Sequence, residues 1–143
     1  MIILRVLIVA LGVGSAVLSA QSSRTFTARL STAPVEAANA ATLTGSGVVT
    51  ARLTGDKLVV TGKFQGLQGA ATAARLHVAA MGLRGPAVID LQVTRASDGI
   101  ISGELTLTAA QVDHLARNRI YVQLHSEKAP DGALRGWLLP EKK

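Results

Sequence analysis

The stretch Ile120–Leu138, IYVQLHSEKAPDGALRGWL, indicates two β-strands joined by a turn. Ile120–Ser126 alternates apolar side chains with polar or aromatic ones, which is the period-2 pattern of a half-buried strand. Pro130–Gly132 supplies turn chemistry, because proline fixes φ, aspartate can bond its own backbone and glycine tolerates positive φ. Extended sequence resumes at Ala133–Leu139. This arrangement predicts that a tyrosine, a histidine and an arginine lie near one another at the end of a sheet.

Similar alternation through the rest of the chain predicts about eight short strands. The other predicted strands are Arg24–Ser31, Ser46–Thr54, Lys57–Gly66, Ala73–Ala80, Ala87–Thr94 and Ile100–Leu107. Turn dipeptides, Gly55-Asp56 and Asp98-Gly99, separate the members of two predicted hairpins. Many short strands at this spacing favour an all-β, antiparallel β-sandwich or barrel.

One short helix interrupts the strands. Thr108 and Gln111 have the spacing of a capping box, which predicts a helix over Ala109–Arg117. Val112 and Leu115 would be its apolar contacts. The segment TAPVEAANAATLTG, residues 32–45, has no apolar stripe and is predicted to be a long connection.

Composition excludes several function classes. The chain has 143 residues, enough for one domain with a core, and no cysteine, so disulfides and thiolate chemistry are excluded. Its net charge is +6, but the basic residues are scattered and the aromatic residues are one Trp, one Tyr and two Phe. Nucleic-acid binding needs clustered cations and stacking aromatics, so we expect no nucleic-acid partner.

The N-terminus has the layout of a secretory signal peptide. One positive charge at Arg5 precedes the apolar run Val6–Leu18, and small or polar residues follow. The alternative is an uncleaved membrane anchor, although the apolar run is shorter than the roughly 20 residues of a spanning helix. Either interpretation makes residues 1–20 a targeting segment and residues 21–143 an extracytoplasmic domain, periplasmic or secreted. The membrane would be contacted only through residues 1–20, if they are retained.

Four segments together resemble the CHRD (chordin) domain family, over about Phe26 to Leu138. They are FTARL at 26–30, SGVVTARL at 46–53, ARLHVAAMGLRGPAVIDL at 74–91 and YVQLHSEKAPDGALRG at 121–136. The resemblance implies an antiparallel Greek-key β-sandwich, immunoglobulin-like and similar to the fold of copper–zinc superoxide dismutase. In animal chordin such domains belong to an extracellular antagonist of bone morphogenetic proteins. In bacterial secreted proteins the domain has no settled activity, so the resemblance informs fold more than function.

One departure from the family pattern bears on metal binding. The family's His-x-His stands here as Arg75-Leu76-His77, so one imidazole is replaced by a cation. His77 and His125 remain as candidate ligands, whereas His114 is expected to be a solvated helix residue. Zinc and copper sites normally need three or four protein ligands, so we expect no metal and no cofactor.

The candidate site residues are Arg75, His77, Tyr121, His125 and Arg135. Two interpretations are open: a hydrogen-bonded polar cluster that fixes strand register, or a binding site. Catalysis is not expected, because Ser126 and His125 point to opposite faces of one strand and no pair of carboxylates has useful spacing.

The sequence therefore predicts a non-catalytic extracytoplasmic protein-binding or accessory module of the cell envelope. Its partner would be an unidentified envelope or secreted protein. The alternative is a metal-binding or redox protein on a superoxide-dismutase-like scaffold.

The signal-peptide interpretation predicts the N-terminus of the native protein. Mass spectrometry should find Gln21, or a residue within about two positions of it, as the first residue. Intact Met1 in the membrane fraction would support the anchor instead.

Overall fold

The structure, a computed structural model, describes residues 21–32 and 37–142. The described elements in chain order are β1 (Ser23–Thr32), β2 (Ser46–Thr54), β3 (Lys57–Gln65), β4 (Ala71–Val78), β5 (Ala87–Val93), β6 (Gly99–Thr106), α1 (Ala109–Ala116), β7 (Ile120–Ser126), β8 (Leu134–Trp137) and β9 (Leu139–Pro140). The predicted segment 1–20 and part of the predicted connection, residues 33–36, lie outside this range. Within the described residues, no helix has the length and apolar character needed to cross a membrane.

Eight of the strands close into an antiparallel barrel. The order around it is β1-β2-β3-β6-β5-β4-β7-β8, and β8 pairs with β1 to complete the circuit. Strands β3 to β6 form a Greek key, because β3 lies beside β6 rather than beside β4. The two-residue strand β9 adds to β1. The prediction of an all-β antiparallel Greek-key fold of about eight strands with one short helix is confirmed.

Alternation along the strands builds the core inside the barrel. In β1, Phe26, Ala28 and Leu30 are buried while Arg29 between them is exposed. In β3, Leu58, Val60 and Phe64 share one face and are all buried. Burying each large apolar side chain contributes about 1.5–3 kcal/mol, so these alternating positions hold the barrel together.

The two predicted hairpins close differently. Thr54 pairs with Lys57 around a two-residue turn in which Gly55 has a φ of 63°, as predicted. The β5–β6 connection is longer than the dipeptide Asp98-Gly99. Gly99 already belongs to β6, because the Thr94 amide and side chain bond to the backbone of Ile100.

The predicted capping box is present at the start of α1. The Gln111 amide donates to the Thr108 hydroxyl, and the Thr108 amide donates to Gln111 Oε1. Leu115 is fully buried and Val112 packs against the core, as predicted. The helix ends at Ala116, one residue earlier than expected, because Arg117 has left helical geometry and serves as its C-cap.

Two strand predictions need correction. Strand β4 runs over Ala71–Val78 rather than Ala73–Ala80, since a bulge near Ala71 extends its start and the amide of Ala79 bonds outside the strand, to Arg119 O. The prediction that Ile120–Ser126 is half-buried is wrong, because all seven residues of β7 are buried. One face of β7 meets the core, and loops cover the other.

A close approach between β8 and β1 gives the first structural prediction. A Cβ at Gly136 would overlap the backbone carbonyl of Arg29, which cannot move without breaking the barrel seam. Gly136→Ala should lower the free energy of unfolding by about 1–3 kcal/mol, measured by urea denaturation.

Gly82→Ala is the matched control for this substitution. Nothing lies within 4 Å of a Cβ at Gly82, whose φ of 84° leaves only backbone strain. Equal losses of stability in the two variants would show that steric overlap at the seam is unimportant.

Candidate functional site

The candidate site lies on the outside of the barrel, across three neighbouring strands. Register aligns His77 of β4 with Tyr121 of β7, and Tyr121 with Trp137 of β8. Such directly opposite residues share a face with Cβ atoms about 4.5–5.5 Å apart. The result is an aromatic row across the sheet.

The next row along the same strands is polar. Gln123 of β7 lies opposite Arg75 on one side and Arg135 on the other. His125, two residues further along β7, lies opposite Ala73. We call His77, Tyr121, Gln123, His125, Arg135 and Trp137 the outer cluster.

Stacking holds the aromatic row together. The rings of His77 and Tyr121 are 4.8 Å apart and inclined by only 16°. The Tyr121 and Trp137 rings are also 4.8 Å apart, tilted by 45°. The guanidinium of Arg135 lies 5.2 Å from the centre of the Tyr121 ring, a cation–π contact that joins the two rows.

The β4–β5 loop covers this row through the backbone of Gly85. Its carbonyl accepts hydrogen bonds from His77 Nδ1 (2.9 Å) and from the Tyr121 hydroxyl (3.2 Å), and its amide lies 3.1 Å from that hydroxyl. Trp137 Nε1 donates to the carbonyl of Ala79 in the same loop. A Cβ at Gly85 would overlap the Val78 carbonyl, so the loop can come this close only with glycine here.

Gln123 connects the polar row to the β7–β8 turn. Its Oε1 accepts from Arg135 Nε (3.0 Å), and its Nε2 donates to Asp131 O (3.2 Å). The same Nε2 lies 3.4 Å from His125 Nε2, while His125 Nδ1 is 2.8 Å from Pro130 O. The carbonyl fixes the His125 tautomer, because Nδ1 must carry the proton and Nε2 must accept.

The structure thus places four of the five predicted site residues in the outer cluster. Arg75 lies on the same face, but its side chain pairs with Asp90 at 2.9 Å and is 42% exposed. His77 and His125 are on the side away from the core, yet they are only 8% and 9% exposed. The loops that cover β7 account for this burial.

The sequence prediction omitted Gln123 and Trp137 from the site residues. A signal for both was present, since Gln123 alternates with Tyr121 and His125, and Trp137 alternates with Arg135. The carbonyl partners, Gly85 O and Pro130 O, could not be predicted, because they are backbone atoms and no side chain identifies them. The predicted solvated position of His114 is also corrected, because it is half-buried and its Nδ1 has no partner within the described chain.

The metal-ligand chemistry of the cluster is limited. Within residues 21–32 and 37–142, no three His, Asp or Glu side chains converge as a metal site would require. His125 uses both ring nitrogens in hydrogen bonds. His77 Nε2 is buried and has no partner among the described atoms.

The chain matches the CHRD domain family over residues 26–138. It belongs to the CHRD domain family. No curated protein and no solved structure matches the chain. The matched range of this CHRD domain contains the whole outer cluster, including the glycine-containing loop that covers it.

The outer cluster predicts the effect of two substitutions. His125→Ala would leave Pro130 O without a partner and would leave Gln123 Nε2 bonded to Asp131 O alone. Arg135→Ala would leave Gln123 Oε1 without its donor. Each should lower the free energy of unfolding by about 1–3 kcal/mol in urea denaturation, with Arg135 at the lower end because it is partly exposed.

Arg117→Ala is the control for these two variants. It removes an exposed ion pair between Asp113 of α1 and the C-cap residue Arg117, which should change stability by less than about 1 kcal/mol. If His125→Ala were no more destabilising than Arg117→Ala, the cluster would not support the fold.

The buried imidazole of His77 predicts a pH dependence of stability. Burial lowers the pKa of His77 against the opposing effect of the bond to Gly85, and the positive charges of Arg135 and Arg75 lower it further. In the unfolded chain the group titrates near its usual value of about 6.5. Between the two pKa values the unfolded state binds more protons, so the free energy of unfolding should fall as pH decreases below about 6.5.

His77→Phe tests this assignment, because phenylalanine keeps a ring against Tyr121 but cannot titrate. Urea denaturation at several pH values between about 7.5 and 5 should give a shallower loss of stability for the variant than for wild type. Identical slopes would assign the pH dependence to other groups.

Proposed function

We propose that this CHRD domain is a non-catalytic, extracytoplasmic protein-binding or accessory module of the cell envelope. The partner would be another envelope or secreted protein. The extracytoplasmic location rests on the signal-peptide pattern of residues 1–20.

The observation that carries the proposal is a surface with exposed apolar side chains on the outside of the barrel. Val48 of β2 is 49% exposed and Ile100 of β6 is 56% exposed. Register places Lys63 of β3 between them, so the three side chains form one row across adjacent strands. Two exposed apolar side chains on either side of a lysine make this strand face amphipathic, which suits a contact with another protein.

A second apolar feature is the β4–β5 loop. Met81 and Leu83 flank Gly82 at its tip and are 57% and 61% exposed. The base of this loop is held rigidly by the hydrogen bonds to Gly85, so its tip is presented on a fixed support. Rigid presentation lowers the entropic cost of binding.

The use of the outer cluster within the fold also supports a binding role over a catalytic one. The hydroxyl of Tyr121, the amide of Gln123 and both nitrogens of His125 have partners inside the domain. A general base or nucleophile needs a reacting atom directed toward substrate. These side chains are directed toward their own loops.

Site-specific photo-crosslinking in the native envelope tests the proposed function. A photoreactive amino acid at Val48 or Ile100 of the full chain should give a discrete protein adduct on denaturing gels, whereas one at Ala110 on α1 should not. Ala110 is a suitable control because it is exposed on a different element. Failure of both strand positions to give an adduct would contradict the proposal.

The alternative function is metal binding, and one observation favours it: the buried, unpartnered Nε2 of His77. A ligand that binds only the native state raises its melting temperature. We expect zinc or copper at modest excess to leave the melting temperature of untagged protein nearly unchanged. A rise of several degrees, lost in both His77→Ala and His125→Ala, would support the metal-binding alternative.

A further inference from the structure

Two depressions on the outside of the barrel adjoin one another. The first, of about 440 Å³, lies over β8, β9 and β1, and the second, of about 540 Å³, lies over β1, β2 and β3. Arg29 and Ser31 of β1 line both, so the two depressions form one trough that crosses the strands. We call this trough the basic groove.

Three cations follow the groove. Arg135 lines the first depression, Lys63 lines the second, and Arg29 stands where they meet. Arg135 pairs in register with Ser31, and Arg29 is connected to Lys63 through Val48. With strands about 4.8 Å apart, the Cα atoms of Arg29 and Lys63 are separated by roughly 10 Å.

These cations have no acidic partner within the described part of the chain. The ion pairs there are formed by Arg75 and Arg117, neither of which lines the groove. Among residues 21–32 and 37–142, Glu141 is the acidic residue that lines the groove, and its carboxylate accepts a hydrogen bond from Thr27 at 2.9 Å. Three cations against one carboxylate leave the groove with an excess of positive charge.

Arg135 is held in place before any ligand arrives. Its Nε donates to Gln123 and its guanidinium lies over the Tyr121 ring. These contacts occupy one donor and one face, while the four terminal N–H groups have no protein partner among the described residues. A guanidinium fixed in this way presents a fork of donors that suits a carboxylate.

Apolar side chains lie beside the cations and, in one place, between two of them. Trp137 and the exposed Met81 line the first depression, and the exposed Val48 lies between Arg29 and Lys63 in the second. A ligand that matches this order needs negative charges separated by apolar groups. An extended peptide provides it, because every second side chain lies on one face at a spacing of about 6.6–7 Å.

We propose that the basic groove binds an extended acidic peptide segment of a partner protein, with acidic and apolar side chains alternating along the face that meets the groove. This inference rests on the proposed protein-binding function and gives that function a surface and a ligand chemistry. The concave shape of the groove favours an extended peptide chain over a flat membrane surface as its ligand. Apolar contacts between the cations favour a peptide over a sulfated or phosphorylated glycan.

A fluorescent nonapeptide of sequence Ser-Glu-Ser-Leu-Ser-Glu-Ser-Leu-Ser tests the proposal by anisotropy titration against the full chain. In the extended form its glutamates and leucines lie on one face. We expect saturable binding that weakens as salt is raised, since exposed charges are screened. Peptides with lysine in place of glutamate, or serine in place of leucine, should bind at least about tenfold more weakly.

Matched charge reversals locate the binding surface. Arg29→Glu and Lys63→Glu should each raise the dissociation constant at least about tenfold, whereas Arg52→Glu should change it less than about twofold. Arg52 is an exposed cation on the outer face of β2, outside both depressions. Glu141→Gln should tighten binding, because it removes the negative charge while keeping an acceptor for Thr27.

Several outcomes would overturn the proposal. They are the absence of saturable peptide binding at millimolar concentration, equal effects of Arg29→Glu and Arg52→Glu, and binding to phosphatidylglycerol vesicles or heparin that the peptide cannot displace. Photo-crosslinking distinguishes failure of the groove proposal from failure of the proposed protein-binding function. Adducts that persist at Val48 in the Arg29→Glu protein would overturn the groove proposal and leave protein binding intact. Absence of adducts when Arg29 is unchanged would contradict protein binding itself.

Discussion

The burial of polar side chains on the outer face of β7 constrains the rest of the structure. Tyr121, Gln123 and His125 lie away from the barrel core, yet loops exclude water from them. Each buried polar group left without a partner would cost about 1–3 kcal/mol. The two covering loops must therefore bring backbone carbonyls to defined places, and Gly85 and Pro130 do so. Loop conformation and strand register are thereby fixed by the same hydrogen bonds.

Local patterns in the sequence predicted much of the fold because their causes are local. Alternation reports which side of a strand meets the core, and Phe26, Ala28 and Leu30 are buried as their spacing indicates. The capping box of Thr108 and Gln111 depends on residues three apart, so its prediction needed no tertiary information. The shared face of Tyr121 and His125 followed from the same period of two.

Long-range contacts account for what the sequence could not predict. Nothing local to Ile120–Ser126 shows that the loop carrying Gly85 folds back across it, so the strand was expected to be half-buried. The partner of Arg75 is Asp90, on a neighbouring strand that only the fold identifies. Likewise, the sequence around Gly136 does not show that the Arg29 carbonyl approaches this glycine, because the contact depends on how β8 pairs with β1.

Arg135 connects the buried outer cluster with the solvent-facing surface. Its Nε is bound to Gln123 and its cationic plane rests on Tyr121, while the remainder of the guanidinium lines the basic groove. The contacts that place Arg135 in the groove therefore also stabilise the fold. The adjacent seam also links the groove to the fold, because Gly136 allows β8 to approach the backbone of β1 at Arg29. The side chain of Arg135 and the backbone of Arg29 are thus placed by the way the barrel closes, and a ligand that bridges the two residues would meet one guanidinium already held by folding.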